Sequence, residues 1–186
     1  NSTGELATML ENPAYRTAAV DAIMAELTRP YEALGDNPYS GVTLDFEGLR
    51  SAQKDYYTQF ITELESRLTA AGKTLYVAVM PATMDGVYYD GYDYKAIGEL
   101  ADKVILMAHD YDPNTLPDYL QTDIPQTPLA PFNKVYQALL QITDEQTGVR
   151  DKSKVLLAIS FGTTRWEYTN TTFSSTAKTS SYEAIR

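Results

Sequence analysis

Three short and almost purely apolar runs place the strongest limit on the fold of this chain. They occupy residues 75–80, 104–107 and 155–159. Because successive side chains of a strand point to opposite faces, a strand that is apolar throughout suits a sheet that is covered on both faces. Such runs are typical of parallel sheets, and we expect these three strands to be buried on both faces.

Amphipathic helical segments separate the strands. A first helix is predicted from Pro13 to about Arg29, with apolar residues at helical spacing at Val20, Ile23, Met24 and Leu27. Ser51 is expected to cap a second helix and Gly72 to stop it. Further helices are predicted over 95–101 and 132–142, and strands over 41–47, 74–80, 104–107 and 155–161. This alternation favours right-handed crossovers, so the predicted fold class is α/β with a parallel sheet.

Two segments lack this pattern. The stretch before Pro13 is expected to be a connection. Residues 167–181 are rich in Thr and Ser and are expected to form an irregular loop without a core of its own.

The strand at 41–47 carries two acids that a buried strand rarely has. Alternation divides it into an apolar and a polar face: Val42, Leu44 and Phe46 on the first, Thr43, Asp45 and Glu47 on the second. Two carboxylates ~7 Å apart then point the same way. Like charges this close favour the protonated form of one partner when water is scarce, as a general acid requires. The pair suggests a paired-carboxylate hydrolase, and the alternative is an edge strand with a solvated polar face.

Further polar and aromatic residues follow the strands where they end. They are Asp45 and Glu47 after the first strand, Met80 after the second, His109 and Asp110 after the third, and Trp166 beyond the fourth. Ligands gather at the carboxyl ends of parallel strands, which share one edge of the sheet. The sequence therefore predicts one site built from four strand ends.

Composition removes several classes of function. The 186 residues carry a net charge of −10 without a basic cluster, so nucleic acid is an unfavourable partner. There is no cysteine and only one histidine, His109, which excludes disulfides, thiolate metal sites and sites built from several imidazoles. No apolar run reaches the ~18 residues of a membrane span.

The D-x-E sequence at the end of the first strand, preceded by Gly41 and followed by Gly48, resembles the signature of glycoside hydrolase family 18, the chitinase family. Matching stretches follow in order: 93–98 and 101–111 are similar to the family's M-x-Y-D strand, and 157–161 with Trp166 to its next strand and aromatic loop. The similarity is greatest to the spore-germination and cortex-lytic branch. It implies a TIM-type (β/α)8 barrel, of which residues 1–186 are a single catalytic-domain fragment covering roughly strands four to seven.

The resemblance also implies a mechanism, which is retaining and assisted by the substrate. Glu47 would protonate the glycosidic oxygen and later activate water. Asp45 would orient the 2-acetamido group, whose carbonyl oxygen attacks the anomeric carbon. Asp110 would hold the sugar in a distorted conformation, and Met107 would line the floor of the site. No cofactor and no metal are implied.

Other residues are expected to contact the substrate. Tyrosines crowd the loop after Met80, and Tyr88 and Tyr89 are the expected sugar contacts, whereas Tyr94 is expected to anchor the start of a helix. Trp166 either lines the cleft or covers the rim of the barrel. The full set of predicted substrate-binding residues is Thr43, Met80, Met107, His109, Asp110, Tyr88, Tyr89 and Trp166.

Four positions depart from the family pattern. Ser40 and Thr43 stand where the pattern D-x-x-D-x-D-x-E has its first two acids, and Thr43 alters the charge beside Asp45. His109 replaces a tyrosine that contacts the acetamide. An imidazole can donate the same hydrogen bond but titrates near neutrality. A histidine that only bonds neighbouring carboxylates is the alternative. Gly162 stands where an aromatic residue is frequent.

The expected substrate is a β-1,4-linked N-acetylglucosamine polymer, with peptidoglycan favoured over chitin. The branch implies a bacterial protein that is secreted or lies in the cell envelope, with association with the spore as one form of this location. The remainder of the barrel would come from the parent chain. Two alternatives stay open: a catalytically inactive glycan-binding module, which Thr43 and His109 permit, and an α/β protein in which the D-x-E acids bind a divalent cation.

The cation alternative makes a separate prediction about chelators. If Asp45 and Glu47 hold Mg²⁺, activity requires that ion and is abolished by EDTA. The hydrolase hypothesis instead predicts unchanged release of reducing ends from N-acetylglucosamine oligomers after EDTA treatment. If EDTA abolished activity and added Mg²⁺ restored it, the hydrolase hypothesis would be contradicted.

Overall fold

The computed structural model describes residues 2–31, 37–84, 87–109, 111, 130–160, 162–165, 168–169, 172–173 and 178–180. In this part of the chain the helices are α1 (Ser2–Glu11), α2 (Pro13–Thr28), α3 (Ser51–Ala70), α4 (Tyr94–Leu100) and α5 (Phe132–Ile142), with a short 3₁₀ helix at Lys152–Lys154. The strands are β1 (Gly41–Asp45), β2 (Thr74–Val79), β3 (Thr83–Met84), β4 (Val87–Tyr88), β5 (Lys103–Leu106), β6 (Val155–Leu157), β7 (Thr163–Arg165), β8 (Tyr168–Thr169), β9 (Thr172–Phe173) and β10 (Lys178–Ser180).

A parallel sheet of four strands forms the centre of the described structure. Its order is β1-β2-β5-β6, and every neighbouring pair is parallel. One row of the register runs through Asp45, Ala78, Ile105 and Leu156. The carboxyl ends of the four strands therefore meet at one edge, as predicted from the alternation of helices and strands.

Helices cover one face of this sheet. Leu44, Val77 and Val104 lie in one register row and are buried, and they join a core with apolar residues of α2, α3 and α4. On the other face Thr43 and Asp45 are exposed, and Leu156 is 40% exposed. The prediction that the strands are buried on both faces is therefore wrong for β6, which is an edge strand among the described residues.

The start of α2 and the end of α3 are set by residues next to them in the sequence. Asn12 accepts a hydrogen bond from the Ala14 backbone at 2.9 Å, and Pro13 opens α2 as expected. Gly72 follows α3 with a φ of +65°, a conformation that glycine adopts without a Cβ penalty, which confirms it as the stop.

The start of α3 differs from the prediction. Ser51 is the first helical residue, and Arg50 precedes it without a side-chain capping bond. The Asp90 carboxylate, from a distant loop, accepts a hydrogen bond from the Ser51 backbone N–H at 2.8 Å. Burial alone would raise the pKa of Asp90, but the hydrogen bonds from Ser51 and from the Asp90 backbone, together with the charge of Arg50, lower that pKa overall. A long-range acid therefore satisfies the helix terminus that Ser51 was expected to cap.

Two segments expected to be irregular contain regular structure. The stretch before Pro13 forms α1, whose Leu10 is fully buried. Within 167–181, β8 pairs with β9, and β10 pairs with β7, both antiparallel. The Thr-rich composition fits these strands because β-branched residues favour extended backbone.

Lys154 links the approach to β6 with the end of α4. Its ammonium group donates hydrogen bonds to the Gly98 carbonyl at 2.9 Å and to the Ala101 carbonyl at 2.8 Å. Both carbonyls lie at the carboxyl end of α4, where a cation also complements the helix dipole. This contact joins two elements that are more than 50 residues apart in the chain.

We expect Lys154→Met to lower the free energy of unfolding by about 1–3 kcal/mol, because two acceptors lose a charged donor. The matched control is Lys152→Met, on an exposed residue of the same short helix, which should change stability by less than about 0.5 kcal/mol. Thermal melting of the full-length protein measures both. Equal shifts for the two variants would show that the Lys154 bonds contribute nothing specific.

Candidate active site

The end of β1 presents the two acids to solvent. Asp45 is the last residue of β1, at the position paired with Ala78, and Glu47 follows two residues later. Both are exposed, as is Thr43, whereas Leu44 is buried against the helices. The structure therefore divides this strand as its alternation predicts, with the polar side chains away from the core.

Phe46, between the two acids, belongs to an aromatic cluster on the opposite side. Its ring stacks on Phe60 at 5.6 Å between centroids and lies against Tyr57, also at 5.6 Å. Tyr57 in turn meets Tyr92 edge to face at 6.2 Å. Phe60 and Tyr57 come from α3 and are fully buried. We name Phe46, Tyr57, Phe60 and Tyr92 the aromatic cluster.

Two tyrosine hydroxyls bond the backbone where β1 and β2 end. Tyr92 donates to the Phe46 carbonyl at 2.7 Å, and Tyr94 donates to the Met80 carbonyl at 2.6 Å. Tyr94 is also the first residue of α4, so it anchors a helix start as expected. Burial raises the pKa of Tyr92, and the nearby carboxylates of Glu47 and Asp45 raise it further. The Tyr92 hydroxyl therefore stays protonated and remains a donor.

The second strand end brings Met80 and Tyr89 to the loop beside the acids. Both side chains are half-buried. The Arg50 guanidinium lies 5.0 Å from the centre of the Tyr89 ring, a cation–π contact that the sequence did not suggest. The backbone of Tyr88 belongs to β4, which pairs with β3, but its side chain lies outside the described residues.

The third strand end contributes Met107 and His109. The Met107 backbone N–H donates to the Val79 carbonyl at 2.9 Å, which extends the ladder one residue beyond β5. Both side chains are half-buried, and Ala108 between them is buried, so Met107 and His109 follow the alternation of the strand. Asp110 and Trp166 lie outside the described residues.

A cavity of about 660 Å³ adjoins this loop on the helix side. Its lining includes Tyr89, Tyr92 and Tyr94, together with Leu140 and Asp144 from the region of α5. Asp45 and Glu47 are not part of its lining, so the cavity does not coincide with the exposed acids. In the described part of the chain, no three His, Cys, Asp or Glu residues are grouped so that they could hold a metal ion. Across the same residues, no helix has the length and apolarity needed to cross a membrane.

Sequence reasoning missed two residues of this region, Tyr92 and Arg50. Tyr92 stands among the tyrosines that follow Met80, and its bond to a carbonyl 46 residues earlier has no local signature. The sequence Tyr92-Asp93-Tyr94 directly before a helix was the available signal. Asp93 caps α4, accepting from the Ala96 backbone at 3.0 Å, which holds the two tyrosines on either side of a rigid turn.

Comparison with known proteins gives one family. The model of the family described as "Glycosyl hydrolases family 18" matches residues 1–186. Over 104 residues the chain is 36% identical to YdhD of Bacillus subtilis (strain 168), which is named as a sporulation-specific glycosylase. This match covers 55% of the chain and 23% of YdhD. Over 76 residues it is 33% identical to the cortical fragment-lytic enzyme of the same organism, covering 39% of this chain and 18% of that enzyme.

A solved structure agrees with these matches. The C-terminal domain of a protein named as a chitinase from Desulfitobacterium hafniense DCB-2 superposes with a TM-score of 0.71 at 25% identity, covering 97% of this chain and 51% of that one. The chain thus spans a quarter or less of the curated relatives and about half of this structural neighbour. The predicted resemblance and the predicted partial barrel are confirmed.

The buried hydroxyl of Tyr57 allows a stability test beside the site. It is enclosed in the aromatic cluster, and within the described residues it has no hydrogen-bond partner. We expect Tyr57→Phe to raise the free energy of unfolding by about 1 kcal/mol, because an unsatisfied buried hydroxyl is removed while the ring is kept. Tyr56→Phe, on the exposed neighbour, is the control and should change little.

The same variant should alter the response to alkali. Burial raises the pKa of Tyr57 well above its ordinary value, so the unfolded chain releases this proton first as pH rises past about 10. The wild-type protein then loses stability above that pH, and Tyr57→Phe should lose less of it. Urea unfolding at neutral and alkaline pH measures the free energy of unfolding of both proteins. An equal decrease in the two proteins would contradict the expectation.

Proposed function

Because the chain belongs to glycosyl hydrolase family 18, we propose that its parent protein is a glycosidase that cleaves β-1,4 linkages next to N-acetylglucosamine. The observation that carries the proposal is the placement of Asp45 and Glu47. They stand at the carboxyl end of a parallel strand, both exposed, in the order of the family's D-x-E. The carboxyl ends of such strands are where barrel enzymes build their active sites.

The proposed reaction uses the two acids differently. Glu47 donates a proton to the glycosidic oxygen as the bond to the anomeric carbon breaks, and its carboxylate later takes a proton from the attacking water. Asp45, on the same face of the strand end, orients the 2-acetamido group, whose carbonyl oxygen attacks the anomeric carbon. The charge of Asp45 stabilises the resulting oxazolinium ion, so the proposed mechanism retains configuration at the anomeric carbon.

The other predicted contacts surround this pair. Met80 and Tyr89 belong to the second strand end, and Met107 and His109 to the third. Their half-burial fits residues that line a cleft wall. We propose that Met107 lies below the sugar and that His109 donates a hydrogen bond towards the acetamide. Thr43 provides a neutral hydroxyl on the exposed face, two residues before Asp45.

We favour peptidoglycan over chitin as the polymer. Support comes from the names of two relatives, a sporulation-specific glycosylase and a cortical fragment-lytic enzyme. The same similarity supports a place in the cell envelope or outside the cell. The negative charge of the chain does not help to bind an anionic wall polymer, so recognition must rest on local contacts.

The exposed edge of the sheet supports a partner from the same parent chain. Leu156 and Leu157 of β6 are each 40% exposed, and Ile159 is 69% exposed. An edge strand with exposed apolar side chains is favourable for pairing with another strand. We propose that further strands of the parent protein cover this edge and complete the barrel.

The decisive variant is Glu47→Gln in the full-length protein. We expect a loss of about 10²–10⁴-fold in the release of reducing ends from N-acetylglucosamine oligomers, because the amide cannot donate the proton. Muropeptides released from peptidoglycan should fall in parallel, and comparison of the two rates identifies the preferred polymer.

Glu99→Gln is the matched control, since it makes the same change at an exposed position of α4. It should retain wild-type rates. Equal rates for wild type and Glu47→Gln would refute Glu47 as the acid. Intact glycans with both proteins, combined with retained oligomer binding, would support the glycan-binding module instead.

A further inference from the structure

Phe46, the residue between the two acids, is held through both its backbone and its side chain. β1 pairs with β2 as far as Asp45, and Phe46 lies one residue beyond the paired strand. Its carbonyl accepts the hydrogen bond from Tyr92 at 2.7 Å, while its ring packs in the aromatic cluster. The chain then turns at Gly48, whose φ is +72°. Tyr92 therefore holds the backbone between the end of the ladder and this turn.

The geometry of an extended backbone makes this contact important for Glu47. The Phe46 carbonyl belongs to the peptide that directly precedes Glu47, so the φ and ψ angles beside this peptide set the direction of the Glu47 Cα–Cβ bond. A change in the backbone angles at the Phe46 carbonyl would therefore move the carboxyl of Glu47, which is exposed, whereas Leu44 is buried in the core. General acid catalysis depends on hydrogen-bond distance between the acid and the leaving oxygen.

We propose that Tyr92 is a positioning residue for the reaction, whose hydroxyl fixes the direction of the Glu47 carboxyl through the Phe46 peptide. This rests on the proposed function of Glu47 as the acid. Tyr92 itself touches neither substrate nor reacting atoms in the proposal. The ring of Tyr92 is only 5% exposed and packs edge to face against Tyr57, so its hydroxyl acts on the site through the Phe46 carbonyl.

Tyr94 provides a control of the same chemistry. Its hydroxyl also donates to a carbonyl at a strand end, that of Met80, at 2.6 Å, and its ring is 7% exposed. The two tyrosines stand on either side of Asp93 and differ in the strand that they hold. Only the strand held by Tyr92 carries the two acids.

The test compares Tyr92→Phe with Tyr94→Phe in the full-length protein. We expect Tyr92→Phe to lower kcat about tenfold or more with KM within about twofold, because the acid is misplaced while binding contacts remain. Tyr94→Phe should keep kcat within about twofold. Thermal melting measures the loss of stability in each variant, which for Tyr92→Phe includes the hydrogen bond of the Leu49 backbone to the same hydroxyl.

A second substrate separates misplacement of the acid from a general loss of structure. A dinitrophenyl glycoside has a leaving group that departs with little proton donation, so the effect of Tyr92→Phe on its cleavage should shrink to about twofold. If Tyr92→Phe does not fold, Tyr92→Met decides, because it also removes the hydroxyl while its flexible side chain can fill the same core space. It should show the same separation of kcat from KM.

The outcomes are distinguishable. Wild-type kcat in Tyr92→Phe, or equal losses of kcat in Tyr92→Phe and Tyr94→Phe, would overturn the positioning role and leave the hydrolase intact. An equal loss on both substrates would also overturn it. A wild-type protein that cleaves no glycan would overturn the proposed function and this inference together.

Discussion

Phe46, the residue between the two acids, contacts two different parts of the chain. Its ring packs on Tyr57 and Phe60 of α3, and its carbonyl accepts from Tyr92, which precedes α4. The first contact is an apolar burial and the second is a directional bond. Together they join β1 to the two helices that follow it, so the placement of the acids is a consequence of how the core packs.

The two faces of the sheet differ in character: one contributes to the apolar core, and the other carries exposed polar side chains. On the helix side, Leu44, Val77 and Val104 are buried in the core. On the other side, Thr43 and Asp45 are exposed near the carboxyl ends of the strands, the edge at which parallel sheets generally bind ligands. Because side chains alternate, one strand serves both purposes without a polar group entering the core.

Features of the fold that depend on neighbouring residues could be predicted from the sequence. The parallel sheet, the opening of α2 at Pro13, the end of α3 at Gly72 and the exposure of Asp45 all follow from spacing or from the conformational preference of one residue. Contacts between distant segments could not be predicted in this way. Asp90 satisfies the start of α3 from 39 residues away, and Tyr92 reaches the Phe46 carbonyl across 46 residues. Neither leaves a periodic signal, because the tertiary fold alone brings the partners together. The roles of the predicted site residues stay predictions, including those of Asp110, Trp166 and the Tyr88 side chain, which lie outside the described residues.

The exposure of the two acids has a consequence for how they could act as a pair. Coulomb repulsion between carboxylates ~7 Å apart is about four times stronger at an effective dielectric constant of about 20 than in water. Asp45 and Glu47 are exposed in the described structure, and Thr43 adds no charge beside them, so water screens their interaction. Strong coupling between them therefore requires water to be displaced from this face, and the groups able to displace it are a bound glycan and further strands of the parent protein. In the proposed reaction, the contacts of Phe46 would direct the acids, whereas a bound glycan and the further strands would exclude water from this face.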